Sequence, residues 1–164
     1  AMRKKVFMFN IHCSNGSRTM AEVAESLKKN NSESLLIGVT VLTNLGQEDI
    51  DEMFESRLSL EELVRNMATI AKRSSMNGIV CSPHESAVIK NKLGKDFVTV
   101  CPGVRPEFTL DKDGKSGDDQ NRIMTPYDAI KNGLDFLVVG RPITKAENPE
   151  KAAGLILEEI SKAL

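Results

Sequence analysis

Two short strings hold the residues best suited to grip an anion: Pro102-Gly103-Val104-Arg105-Pro106 and Val138-Val139-Gly140-Arg141-Pro142-Ile143. In each, a glycine lets the backbone approach a ligand closely. The arginine adds a permanent charge and a planar fork of donors. Gly140 and Arg141 are adjacent, so a backbone N–H and a guanidinium can reach one phosphate together. The competing reading of Arg141 is a solvated rim arginine; the neighbouring glycine N–H favours phosphate. Arg105 is read in the same way. Five other reactive side chains, His12, Cys13, Cys81, His84 and Cys101, fall at or just past the ends of apolar runs. None has the close Cys/His spacing of a zinc motif. The cysteines read as small buried hydrophobes and the histidines as rim hydrogen-bonders, so no metal site is expected.

The elements that must position these loops follow from hydrophobic patterning. Residues 6–11, 35–42, 78–81, 97–100 and 136–139 are short, nearly continuous apolar runs rich in β-formers. Continuous rather than alternating runs indicate strands buried on both faces, as in parallel sheets. Helical patterns lie between them. Residues 17–29 put Met20, Val23, Ala24 and Leu27 on one stripe. Residues 59–75 open with a capping-box pattern at Ser59 and Glu62 and carry Leu63, Met67 and Ile70 on one face. Residues 84–93 place Ala87, Val88 and Leu93 inward, Thr125-Pro126 starts a short helix, and residues 149–163 form the last.

Strand and helix in alternation predict a parallel α/β sheet with right-handed crossovers. Phosphate loops after the last two strands are the mark of a (β/α)₈ barrel, which usually takes ~250 residues. With 164 residues, the expectation is a partial barrel of about five parallel strands, a single α/β domain over residues 1–164 truncated at its N-terminal side. Residues 103–124 hold no clear element. With Gly103, Gly114, Gly117 and several charges, they are expected to form a mobile lid over the phosphate.

Composition narrows the function classes. Basic and acidic residues number 22 and 23, for a net charge of −1, which gives no footprint for nucleic acid or an anionic membrane. No apolar run approaches the ~18 residues of a membrane helix, and the start shows no signal-peptide pattern. Three widely spaced cysteines do not suggest disulfides. The expectation is a cytoplasmic protein.

Six strings then carry a resemblance. They are Phe9-Asn10-Ile11-His12-Cys13, Val39-Thr40-Val41-Leu42-Thr43, Gly78-Ile79-Val80-Cys81-Ser82 and Pro102-Gly103-Val104-Arg105-Pro106. The last two are Gly117-Asp118-Asp119-Gln120 with Arg122-Ile123-Met124-Thr125-Pro126, and Val139-Gly140-Arg141-Pro142-Ile143. In this order, from about Val6 to the C-terminus, the chain closely resembles bacterial orotidine 5′-phosphate decarboxylase. The resemblance implies a (β/α)₈ barrel of which these residues form the fourth to eighth strands. It implies conversion of orotidine monophosphate (OMP) to uridine monophosphate (UMP) and CO₂ in pyrimidine biosynthesis, without metal or organic cofactor, by a homodimer. It implies that Thr43 meets the pyrimidine or its neighbourhood. Arg105, Gln120, Gly140 and Arg141 would hold the phosphate, with Gln120 reaching down from the lid.

The family's catalytic Asp-x-Lys-x-x-Asp belongs to the third strand, and no such strand occurs in these 164 residues. No catalytic residue is therefore assigned. One match to the spacing, Asp113-Gly114-Lys115-Ser116-Gly117-Asp118, lies in the expected lid rather than at a strand end. A lysine there lacks the rigid placement that a preorganised acid needs. Three readings stay open: a decarboxylase-family enzyme inactive or nearly so as this chain alone, a non-catalytic nucleotide- or phosphate-binding remnant, and a sugar-phosphate lyase of the same suprafamily. The partner in each is a nucleotide monophosphate, OMP or UMP, or phosphate itself.

Overall fold

The structure, a computed structural model, describes residues 6–54, 58–110 and 123–164. Five strands form one sheet: β1 (Met8–His12), β2 (Leu35–Val39), β3 (Gly78–Val80), β4 (Val98–Cys101) and β5 (Phe136–Leu137). They are ordered as in the chain, and every neighbouring pair is parallel, with Phe9 opposite Leu36, Ile37 opposite Gly78, Ile79 opposite Thr99 and Val100 opposite Phe136. Helices α1 (Gly16–Lys29), α2 (Gln47–Phe54), α3 (Leu60–Arg73), α4 (Pro83–Leu93), α5 (Pro126–Lys131), α6 (Arg141–Thr144) and α7 (Pro149–Ser161) fill the connections. This is the expected partial (β/α)₈ barrel.

The sheet is strongly curled. Strands lie ~4.8 Å apart, so the edges of a flat five-stranded sheet would be about 19 Å apart. Yet Phe7, beside β1, and Phe136, in β5, stack edge to face with ring centroids 5.8 Å apart. The two edges therefore face each other across a concave surface, as opposite walls of a barrel do. Alternation divides the side chains between the two faces. Leu36, Ile79 and Cys101 join the helix-side core with Met20, Leu27, Val64, Ala68, Ile89 and Phe97. Ile37, Val39 and Val100 are buried outside that core, on the concave side. In β2 and β4, burial of both faces is what made the runs continuous.

Local chemistry starts the helices where the sequence placed them. Ser59 and Glu62 form a reciprocal capping box on α3, and Thr125 caps α5 by accepting from the Asp128 N–H at 3.1 Å. Two buried faces differ from expectation. Helix α3 buries Val64, Ala68 and Ala71, while Leu63 and Met67 flank the core and Ile70 is exposed. The small alanines let the helix come close to the sheet. Helix α4 buries Glu85, Ser86 and Ile89 and exposes Ala87 and Val88. Its inward polar groups are paired: the Ser82 N–H donates to Glu85 at 2.8 Å, and Ser86 donates to Thr99 Oγ1 at 3.3 Å.

Strand β5 has only two residues, and side chains reinforce its backbone pairing with β4. The Asp135 carboxylate accepts from the Thr99 N–H at 2.8 Å and from Thr99 Oγ1 at 3.1 Å, and pairs with Lys90 Nζ at 2.7 Å. This clamp fixes β5 beside β4, and with them the two loops that leave their far ends.

Candidate phosphate and nucleotide site

In a parallel sheet all strands end on one edge, and the loops leaving that edge carry the candidate residues. Arg105 follows β4, Gly140 and Arg141 follow the adjacent β5, and Thr43 follows β2. Arg105 and Gly140-Arg141 thus leave neighbouring strands, and Thr43 stands two strands from β4. Gln120, and the Asp113–Asp118 match with Lys115, lie outside the described residues.

Gly103 makes the first turn possible. Its φ of +83° is in the left-handed region that favours glycine. The chain then re-pairs: Val104 bridges Met124 in parallel, and the Arg105 N–H donates to the Met124 carbonyl at 2.9 Å. A 3₁₀ turn follows at Glu107–Thr109. The described ends of the 103–124 segment are therefore more regular than expected, since backbone pairing there needs no apolar periodicity. Arg105 is only 5% exposed, and its Nη1 donates to the Val104 carbonyl at 2.9 Å. A guanidinium retains its charge at any physiological pH, so this loop holds a fixed cation at the barrel edge. Beside it lies a pocket of about 350 Å³ lined by His84, Arg105, Ile123, Thr125, Asp128 and Asn132.

Gly140 precedes α6, and its carbonyl accepts from the Ile143 and Thr144 N–H groups at 2.9 and 3.0 Å. A methyl group on Gly140 would meet nothing within 4 Å. The glycine thus fronts open space rather than packed protein. Arg141 is half-buried at the start of α6. Thr43 is buried, and the helix after it begins only at Gln47, where the Gly46 N–H donates to Asp49 at 2.7 Å.

The cysteines are buried, and the thiols of Cys81 and Cys101 face each other with their sulfurs 3.7 Å apart. Burial pushes the Cys13 thiol up to about 11, which makes it inert at neutral pH. His12 is exposed at the end of β1, and His84 is a rim hydrogen-bonder, as the sequence suggested, with Nε2 2.9 Å from the Ile123 carbonyl. What sequence reasoning missed is that this carbonyl adjoins the peptide holding Arg105; the contact spans 39 residues of chain and leaves no local signal. Among the described residues, no three His, Cys, Asp or Glu side chains gather to hold a metal ion, and no helix is long and apolar enough to cross a membrane. A larger cavity of about 560 Å³ lies at the opposite edge, beside Phe7 and the Asn30–Ser34 turn, away from all of these loops.

A curled sheet of five parallel strands, with helices in the connections and the candidate loops on its C-terminal edge, defines the class: a protein of the (β/α)₈-barrel kind. Residues 1–156 match the family model described as orotidine 5′-phosphate decarboxylase / HUMPS family, and the chain belongs to that family. It is 44% identical over 155 residues to the orotidine 5′-phosphate decarboxylase of Teredinibacter turnerae, covering 94% of this chain and 64% of the relative. It is likewise 44% identical over 160 residues to that of Aliivibrio fischeri, covering 97% and 64%. The crystal structure of the Lactobacillus acidophilus enzyme superposes with a TM-score of 0.79 at 29% identity, over 97% of this chain and 65% of that one. The chain thus spans about two-thirds of the length of the relatives it matches.

Proposed function

We propose that this chain carries the phosphate-holding side of an OMP decarboxylase site. Arg105, Gly140 and Arg141 grip the nucleotide phosphate, Gln120 joins them, and Thr43 lies toward the pyrimidine. The observation that carries the reading is the placement of a buried arginine and a Gly-Arg pair on the ends of adjacent parallel strands, within a member of this family. Catalysis in the family is a matter of charged groups fixed where charge develops, usually the largest catalytic contribution. In these 164 residues the family's Asp-x-Lys-x-x-Asp spacing occurs at Asp113–Asp118, outside the described residues. On its own the chain therefore binds UMP, at micromolar to millimolar strength, and does not decarboxylate OMP at a measurable rate. Two copies associate through the apolar barrel surfaces.

Calorimetry with UMP tests the reading. Wild-type protein should bind, and the Arg105→Ala/Arg141→Ala double variant should not. Equal behaviour of the two proteins would refute the phosphate assignment. Tighter binding of a ribulose-type phosphate than of UMP would point to the sugar-phosphate lyase alternative. Robust OMP turnover by the pure chain, lost in Arg141→Ala, would refute the expected inactivity and direct attention to Lys115.

A further inference from the structure

His84 has no part in the phosphate grip described above, yet it touches the segment that holds Arg105. It stands in the first turn of α4, directly after Pro83. Its Nε2 lies 2.9 Å from the Ile123 carbonyl. A carbonyl oxygen only accepts, so Nε2 must be the nitrogen that carries hydrogen. The next carbonyl along the chain, that of Met124, accepts the Arg105 N–H at 2.9 Å, and Val104 bridges Met124. Ile123-Met124 is thus gripped from two sides, by an imidazole from the first turn of α4 and by the backbone that carries Arg105. His84, Ile123, Met124 and Arg105 all line the same pocket of about 350 Å³.

We infer that His84 is a positioning residue: by holding Ile123-Met124 against the Arg105 backbone, it sets where the Arg105 guanidinium stands for a phosphate-bearing ligand. The inference rests on the phosphate reading of Arg105. His84 is exposed, so its bond is not needed to satisfy a buried group. Exposed substitutions usually change stability little, which separates positioning from a merely structural role.

The test compares wild type, His84→Leu and His84→Gln by calorimetry with UMP and by hydrogen exchange at the Arg105 amide. Loss of one neutral hydrogen bond predicts about three- to tenfold weaker UMP binding in His84→Leu, with faster exchange at Arg105. His84→Gln retains an N–H that can reach the Ile123 carbonyl, so both readouts should return toward wild type. An Arg105 amide that exchanges equally in all three proteins overturns the inference. So does undiminished UMP affinity in His84→Leu, or equal loss in both variants. If wild type binds no UMP, the phosphate reading fails. The coupling of His84 to Arg105 is then decided by the amide alone: faster exchange in His84→Leu with recovery in His84→Gln upholds it, and any other pattern overturns it.

Discussion

Gly140→Ala and Gly78→Ala should fail in opposite ways, and the contrast isolates the ligand site from the fold. Gly78 is paired with both Ile37 and Val98 in the middle of the sheet. A Cβ there would collide with the Val98 carbonyl oxygen and lie 2.6 Å from Val98 Cβ. The obstacle is backbone, which cannot rotate away, so the strands must separate. Overpacking of a core typically costs ~1–3 kcal/mol, occasionally more, and a backbone clash belongs at the upper end. At Gly140 the same methyl meets nothing within 4 Å, so no clash forces the fold apart and the stability loss should be well below that of Gly78→Ala. Its effect should appear only with ligand present, where the methyl intrudes on a phosphate held by the Gly140 N–H. Loss of one charge-assisted hydrogen bond is worth ~1.5–3 kcal/mol, or roughly 10- to 150-fold in the dissociation constant for UMP. Urea denaturation and calorimetry on both variants measure the two axes. Unchanged UMP affinity in Gly140→Ala, or a stability loss there matching that of Gly78→Ala, would refute the assignment of Gly140 to the phosphate.

Three further outcomes are expected. Glu159 is buried, its Oε1 finds no hydrogen-bond partner among the described residues, and burial foremost raises its pKa, with the Glu107 charge adding and the Glu107 and Tyr127 N–H groups and Lys162 opposing. A carboxyl that binds its proton more tightly when folded contributes stability that is fully present below the ordinary glutamate pKa and is lost as pH rises through the raised one. Glu159→Gln should therefore stabilise the protein at pH 7 by on the order of 1 kcal/mol and flatten the fall in melting temperature above pH 5; a destabilised variant at pH 7 would refute this. Asp135→Ala should cost about 2–4 kcal/mol by denaturation, since it takes the carboxylate from Lys90, leaving it the Lys95 carbonyl at 2.9 Å, and removes two hydrogen bonds from Thr99; a loss below 1 kcal/mol would show that β5 is aligned by other means. Light scattering at low micromolar concentration should find more than a monomer, because Phe7 is 66% exposed on the concave side and Val138, Met53 and Phe54 are also exposed; a monodisperse monomer would refute self-association.

The central strands β2 and β4 were legible because both of their faces carry buried residues. In β2, Leu36 enters the helix-side core while Ile37 and Val39 face the concave side, all buried, so the run stays apolar. The helix starts were legible where a single side chain does the capping, as at Ser59 and Thr125. The inward faces of α3 and α4 were less so, for physical reasons. Close approach to the sheet favours Ala68 and Ala71 over Leu63, and a buried Glu85 or Ser86 looks like a surface residue until Ser82 and Thr99 are found beside it. Helix α2 gives little signal of its bounds because only Ile50 is buried in an otherwise acidic stretch, and the helix is held from outside, where Gln47 accepts the Leu60 N–H at 2.6 Å. The site divides in the same way. The sequence marks Arg105 and Gly140 through local chemistry, since a turn with positive φ requires glycine at Gly103 and a phosphate requires a charge beside it. What it does not mark is support from a distance. Nothing in the strings around His84 or Asp135 announces that one reaches Ile123 and the other Thr99. Those contacts exist only once the strands are laid side by side. Support of this kind decides whether a charge at the right position in the chain also stands at the right place in space, which is why the predictions above test supporting residues as well as gripping ones.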